Sequence, residues 1–310
     1  PSFLPSFLPS FPPSLLPSVL PSFLLSVFLP LVPSFFLQAQ DFMSDSAAIK
    51  VSYGSSPDRK VEGSDIEIGG SQWELMTPLY YHDGGDWSFG AGLRYQSTDI
   101  DISDATFLKE DHLQSLELAL FLSKDYSDSL KGIVLFIPGM SGDFETTGGD
   151  AMNYMAMAGV RWKKSETFQW IFGAFYSNGF DDDIFLPAVG FMWEPSDKAD
   201  LVFAGPIIRY RYSLTESFDW IAGGQFSGNR WLTEADYNDG AGVVEKEFSM
   251  QAYRLYTTIQ WNPTEKHGVF ATLGAELGRE VELKNAAGTT LAERDLKSAP
   301  SFEVGYRFRF

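Results

Sequence analysis

A transmembrane antiparallel up-and-down β-barrel of about fourteen strands is the all-β fold this sequence predicts, and three observations predict it. The C-terminal segment alternates without a miss, Phe302, Val304, Tyr306, Phe308 and Phe310 against Ser301, Glu303, Gly305, Arg307 and Arg309. Similar apolar stripes recur along the chain. The connections between them alternate between short polar turns and, mostly, longer acidic or Gly-rich segments. A period of two means one face apolar and one face polar. A strand with lipid on one side and a polar lumen on the other requires that pattern to its last residue.

The stripes come in chain order. Trp87, Phe89, Ala91, Leu93 and Tyr95 form the first clean one. It is followed by Tyr154, Ala156, Ala158, Val160 and Trp162, and by Phe168, Trp170, Phe172, Ala174 and Tyr176. Later come Trp220, Ala222, Gly224 and Phe226; Tyr253, Leu255, Thr257, Ile259 and Trp261; and Val269, Ala271, Leu273, Ala275 and Leu277. Stripes that begin or end on Trp, Tyr or Phe match the aromatic girdles at two membrane interfaces. A β-sandwich also alternates, but has less reason to set large aromatics at the stripe edges.

Short turns are expected at His82 to Gly85, Lys124 to Ser129, Lys163 to Thr167, Glu194 to Lys198, Thr215 to Ser217 and Asn262 to Lys266. Longer connections are expected at Ser103 to Asp111, Gly139 to Asp150, Gly179 to Asp183, Gly228 to Val244 and Lys284 to Lys297. Short turns in the periplasm and long loops outside are the outer-membrane arrangement. Strands are therefore placed near Ala48 to Ser55, Asp65 to Tyr81, Trp87 to Ile102, His112 to Asp125, Lys131 to Pro138, Ala151 to Trp162 and Phe168 to Asn178. The second half follows near Ile184 to Trp193, Asp200 to Ala204, Ile207 to Tyr212, Phe218 to Asn229, Glu245 to Trp261, Gly268 to Leu283 and Ser298 to Phe310. A tight turn at Gly205-Pro206 makes the count fourteen. Twelve follows if that turn is a bulge and the first strand does not pair.

Composition agrees. The chain has 310 residues and no cysteine, which leaves neither disulfides nor thiolate metal sites. Aromatics at 15% and 28 glycines accompany a slightly negative mean hydropathy, as expected when every second strand residue faces a polar interior. The formal net charge of −18 opposes nucleic-acid binding, because phosphate recognition needs the other sign.

Two regions are expected: residues 1–39, an export signal preceded by Pro/Ser/Phe/Leu low-complexity sequence, and residues 40–310, the barrel. Pro1 to Gln40 carries no charge, repeats Pro-Ser-Phe-Leu, and runs through Leu24 to Val32 into Leu37-Gln38-Ala39. An apolar stretch ending in a small-residue cleavage site reads as a secretory signal. Its prolines exclude a stable spanning helix; the alternative is a Pro-rich extension outside the fold.

Leu186-Pro187-Ala188-Val189-Gly190-Phe191-Met192-Trp193-Glu194-Pro195-Ser196, with Leu201 to Pro206 and Arg209-Tyr210-Arg211-Tyr212, resembles the central signature of an uncharacterised bacterial outer-membrane β-barrel family. That family is a domain of unknown function within the barrel superfamily. The resemblance covers roughly Ala47 to Phe310. It implies an exported barrel in the bacterial outer membrane, with no known activity.

The strand phase turns Arg94, Arg161, Arg209, Arg211, Arg254, Arg307 and Arg309 inward, together with Glu74, Glu117, Glu276 and Glu303. Two readings of these charges stand. In one they form an Arg/Glu network that braces a modest barrel, because confined charge needs partners. In the other they line a pore biased toward anions. Phe302, Val304, Tyr306, Phe308 and Phe310 are expected to be the signal read by the barrel assembly machinery, with outer-membrane lipids as the other partner.

No catalytic set stands out. His82, His112 and His267 sit at turns or strand starts, and Ser115 near His112 belongs to no recognisable motif. Asp181-Asp182-Asp183 lacks the Gly-punctuated spacing of a calcium loop and reads as a solvated tip. Gly69-Gly70 and Gly84-Gly85 read as a strand bend and a turn. No cofactor or metal is expected. The sequence thus predicts a passive channel or binding barrel for small polar solutes, with a non-conducting structural or surface-interaction barrel second and a barrel hydrolase third.

Overall fold

The computed structural model describes residues 48–310 except 104–107, 109–110, 145–150, 180–182, 205–206, 236–243 and 286. Fifteen strands follow in order: β1 Ala48–Lys60, β2 Glu67–Asp83, β3 Trp87–Ile102, β4 His112–Ser127, β5 Leu130–Gly142, β6 Met152–Ser165, β7 Phe168–Ser177, β8 Ile184–Ser196, β9 Ala199–Ala204, β10 Ile207–Ser213, β11 Phe218–Ala235, β12 Val244–Trp261, β13 His267–Asn285, β14 Thr290–Leu296 and β15 Ala299–Arg309. Each strand from β1 to β13 pairs antiparallel with its successor. β15 pairs β13 on one side and β1 on the other, from Ala48 opposite Arg309 to Ser55 opposite Phe302. The sheet therefore closes on itself, with β1 to β13 and β15 as its fourteen wall strands. Closure is what a spanning sheet requires, because a backbone N–H in hydrocarbon has no water to bond.

β14 was not expected. It lies inside the segment read as the Lys284 to Lys297 loop and pairs with the upper part of β13, from Arg279 opposite Leu296 to Lys284 opposite Thr290, with one further bridge from Leu296 to Val61. Two other expected loops are likewise shorter: β11 runs on to Ala235 and β5 to Gly142. His82 belongs to the end of β2 rather than to the turn, its ring 5.0 Å from that of Trp87. The turn glycine is Gly85, whose φ of 84° favours a residue without a Cβ. The Gly205-Pro206 turn lies outside the described residues, but Ile207 pairs with Ala204, so β9 and β10 form a genuine, short hairpin.

The outward phase of the stripes is the exposed one. Tyr154, Val160 and Trp162 on β6 face out, as do Phe302, Val304 and Tyr306 on β15 and Phe310 just after it, while Met155 between them on β6 is buried. An apolar band wound round a closed barrel has lipid as its only favourable neighbour. Trp87, Trp162, Trp193, Trp220 and Trp261 lie within three residues of the strand ends at short turns and are all exposed, which places an aromatic girdle at that edge. The protein is an outer-membrane β-barrel.

Two apolar cores lie inside the wall. The first joins Phe121, Leu135, Ile137, Met155, Phe175, Ile184 and Phe226. Phe226 has the outward phase of β11, yet it is packed with the inward-facing Phe175, so the upper part of β11 runs behind the wall of β4 to β8. The second core, at the long-loop end, joins Ile68, Ile100 and Leu113 of β2 to β4 with Trp231, Phe248, Val281, Leu283, Ala292 and Leu296 of β11 to β14. These two groups of strands, separated on the short way round the wall only by β15 and β1, meet across the mouth. A bulge on β13 makes this meeting feasible. Gln251 pairs with Glu280 and Tyr253 with Leu277, so Gly278 and Arg279 together oppose Ala252. Gly278 has φ 54°, and the extra residue flips the parity of β13. Leu273 and Leu277 face out below the bulge, whereas Val281 and Leu283 face in above it.

Candidate functional site

Halfway up the wall, charged side chains form a belt of alternating sign across neighbouring strands. Arg254 Nη1 on β12 donates to Glu303 on β15 at 3.2 Å, and Lys50 on β1 lies 3.5 Å from Glu303 and 2.9 Å from Glu74 on β2. Arg94 on β3 then bridges Glu74 at 2.8 Å and Glu117 on β4 at 3.2 Å. Gln96 adds a further bond to Glu74. β13 lies between Arg254 and Glu303, and it carries Gly274 there: a Cβ would stand 3.2 Å from Arg254 Nε and 2.5 Å from Ser301 Oγ. Gly139 performs the same service for Glu117, whose Cγ would be 2.8 Å from a Cβ. The belt is thus electroneutral, three cations against three carboxylates, and two of its places are floored by glycine.

Nearer the short-turn end, Arg211 Nε donates to Asp200 at 2.6 Å and Arg209 Nη2 to the same carboxylate at 3.3 Å. Ser213 and Asn262 both donate to Asp219. Arg309 donates to the Glu265 carbonyl. Toward the other end, Glu276 accepts from Ser56 and pairs with Arg279 at 3.2 Å.

Inside these groups lies a cavity of about 760 Å³. It runs from Asn262, Arg211 and Arg309 near the short turns to Glu280 and Leu296 near the long loops, and Ile100, Trp231 and Leu296 of the mouth core form its apolar end. Of the residues placed inward from sequence, Arg94, Arg209, Arg211, Arg254, Arg307, Arg309, Glu74, Glu276 and Glu303 line it. Glu117 is turned instead to a small pocket beside Gly139, and Arg161 lines neither. Sequence reasoning missed Lys50, Arg279, Glu194, Asp197, Asp200, Asp219 and Glu280. Lys50 was legible, since it alternates with Val51 and Tyr53 on β1. So was Asp200: a hairpin centred on Gly205-Pro206 sets it opposite Arg211. With these residues included, Lys50 and seven arginines face eight carboxylates, so the lining among the described residues is balanced rather than Arg-rich.

Ser115 is buried on the inward face of β4, whereas His112 is exposed and bonded to Asp99 at 2.6 Å. The two do not meet. His267 bonds the Tyr306 hydroxyl. Of the three aspartates at 181–183, only Asp183 is among the described residues, and it accepts from Tyr176. Among the described residues no group of three or more His, Asp or Glu side chains is arranged to hold a metal ion.

A family model described as Domain of unknown function (DUF6268) matches residues 83–309. The chain belongs to this family. The match begins at the end of β2 and includes the centre that carries the resemblance in sequence. No curated protein matches the chain. Among solved structures this family member is similar to an outer-membrane channel from Pseudomonas putida F1, at 14% identity and a TM-score of 0.47, over 85% of this chain and 95% of that one. It is also similar to the NanC porin, at 10% identity and a TM-score of 0.42, over 84% and 100% of the two chains. The third is LpxR from Salmonella typhimurium, at 11% identity and a TM-score of 0.36, over 85% and 100%.

Proposed function

We propose that this barrel passes small polar solutes through its lumen. The observation that carries the reading is the cavity that runs from the short turns to the mouth core, with charged side chains along its length and an apolar end at the mouth. Its volume of about 760 Å³ suits a small hydrated molecule, within the range of ordinary ligand sites of roughly 300–1,000 Å³. Because acids and bases balance along the lining, the expected selectivity is weak, not anionic. Planar-bilayer recording checks this: unit conductance steps with a reversal potential near zero in a salt gradient are expected. A reversal potential near that of either ion would refute the weak selectivity.

The runner-up, a non-conducting structural barrel, draws its support from the neutral, glycine-floored belt, which fills and braces the wall. No catalytic residue, cofactor or metal enters either reading. Residues 1–39 would act as the export signal, and the outward face of β15 together with Phe310 as the signal read by the assembly machinery, with outer-membrane lipids round the outer apolar band.

A further inference from the structure

The mouth core is not a loop fallen into the lumen. It is the underside of a continuous sheet. Trp231 on β11 pairs with Phe248 on β12, Phe248 with Leu283 on β13, and Leu283 with Ala292 on β14, so one apolar row crosses four strands. This row rests on Ile68, Ile100 and Leu113 of the facing wall. The four-stranded segment is bent over the lumen where β13 carries its bulge at Gly278 and where Gly223-Gly224 of β11 pass under Tyr253 and Tyr256, with no room for a Cβ.

Its edges are held differently from its interior. Within the segment the ladders are long, as in the run from Phe218 opposite Trp261 to Ala235 opposite Val244. At the β11 edge, described pairing with β10 stops at Ile208 opposite Gly224, and above it comes one parallel bridge, Leu232 opposite Gly142 of β5. Among the polar contacts along that edge are Asp143 N–H to the Leu232 carbonyl at 3.2 Å, Glu234 N–H to Asp143 Oδ2 at 3.3 Å, and Arg230 Nη2 to the Met152 carbonyl at 3.4 Å. At the β14 edge there is again a single bridge among the described residues, Val61 opposite Leu296.

The wall beside the β11 edge is also made to end there. Glu194 N–H bonds the Thr167 carbonyl, so even-numbered residues of β8 bond β7 and odd-numbered ones face the β9 side. Pro187 is odd. β9 pairs with β8 no higher than Gly190 among the described residues, so Pro187, which has no N–H to offer, occupies the level where no neighbour is paired.

We infer that the upper parts of β11, β12, β13 and β14 form a flap that shuts the lumen at its long-loop mouth, hinged at Gly278 and Gly223-Gly224 and latched by one bridge at each edge. The inference rests on the reading of the barrel as a conduit. Lifting the flap exposes the underside row, draws Phe226 out of the first core, and breaks two bridges together with the bonds of Asn229, Arg230 and Glu234 to the wall, while every wall ladder below the hinge stays intact. The flap then sets how often the conduit is open.

The test uses the full-length barrel in planar bilayers, with heat-modifiable gel migration as the check that each variant is folded. Phe248→Asp puts a charge in the middle of the apolar underside and should raise the open fraction by at least about tenfold, the factor equivalent to 1.4 kcal/mol. Asp143→Ala frees the β11 edge without touching the core and should raise it in the same direction; it decides the matter if Phe248→Asp does not fold. In either background, Val61→Cys with Leu296→Cys places two thiols on partners of an antiparallel bridge, about 4.5–5.5 Å between Cα atoms and within disulfide reach. Oxidation should return the open fraction to the wild-type level and reduction should release it. Conductance that is equal in wild type and in the released variants overturns the flap and leaves the conduit. Silence in all of them, folded, overturns the conduit itself.

Discussion

Replacing Arg94 by Leu is expected to lower the stability of the folded barrel by about 3–5 kcal/mol, the cost of removing one partner from a buried ion pair. Arg94 bridges Glu74 and Glu117, and all three side chains are about nine-tenths buried. Without the guanidinium, Glu117 loses its ion pair and Glu74 keeps only Lys50 and Gln96. The urea midpoint of the barrel refolded in lipid measures the loss. Combining Arg94→Leu with Glu74→Gln and Glu117→Gln should recover most of it, because the penalty belongs to stranded charge. If the triple variant is as unstable as the single one, lost packing around Arg94 is the cause instead.

The second large effect lies on the other face of the wall. Val134→Arg is expected to cost about 2–4 kcal/mol, the price of a cationic side chain at the bilayer midplane. The level follows from register: Val134 pairs with Ala158, which is four residues from Tyr154 at one edge of the band and four from Trp162 at the other. Val134 faces outward and is 47% exposed. The same substitution at Tyr154 or Trp162, where the headgroups begin, should cost about 0–1 kcal/mol for the charge itself. Lipid-refolding equilibria of the three variants measure the gradient; a flat profile would mean that no hydrocarbon layer surrounds the outer apolar band.

How far the sequence could be read depends on whether a feature is periodic. β15 is fully periodic, and its phase, its partners and the outward direction of Phe302 to Phe310 follow from alternation alone. β13 is periodic only to Leu277. Beyond it, Val281 and Leu283 continue the same apparent alternation, but the bulge at Gly278 turns them into the lumen, and nothing in a period of two marks that reversal. β14 was hidden for a related reason: Thr290 to Leu296 has charged residues on much of its length and lies above the membrane, where no lipid enforces a stripe. Phe226 was read as part of an outward stripe, and its phase was right. Its environment was not, because β9 and β10 are too short to keep the upper part of β11 in the wall. The lumen charges were legible where strands are long, as at Arg94 and Glu74. They were missed on the short strand β9 and beside the turns, where Asp200, Asp219 and Glu194 supply the acids that balance the cavity.

The claim beneath all of this is that the wall separates hydrocarbon from a polar lumen residue by residue. The chain has no cysteine, so single thiols can be placed along β15 without background. Thiols replacing Phe302, Val304 and Tyr306 should react only with a reagent dissolved in the bilayer, and thiols replacing Glu303, Arg307 and Arg309 only with a small charged reagent in water. Equal reaction of both sets with the aqueous reagent would contradict the barrel in its membrane.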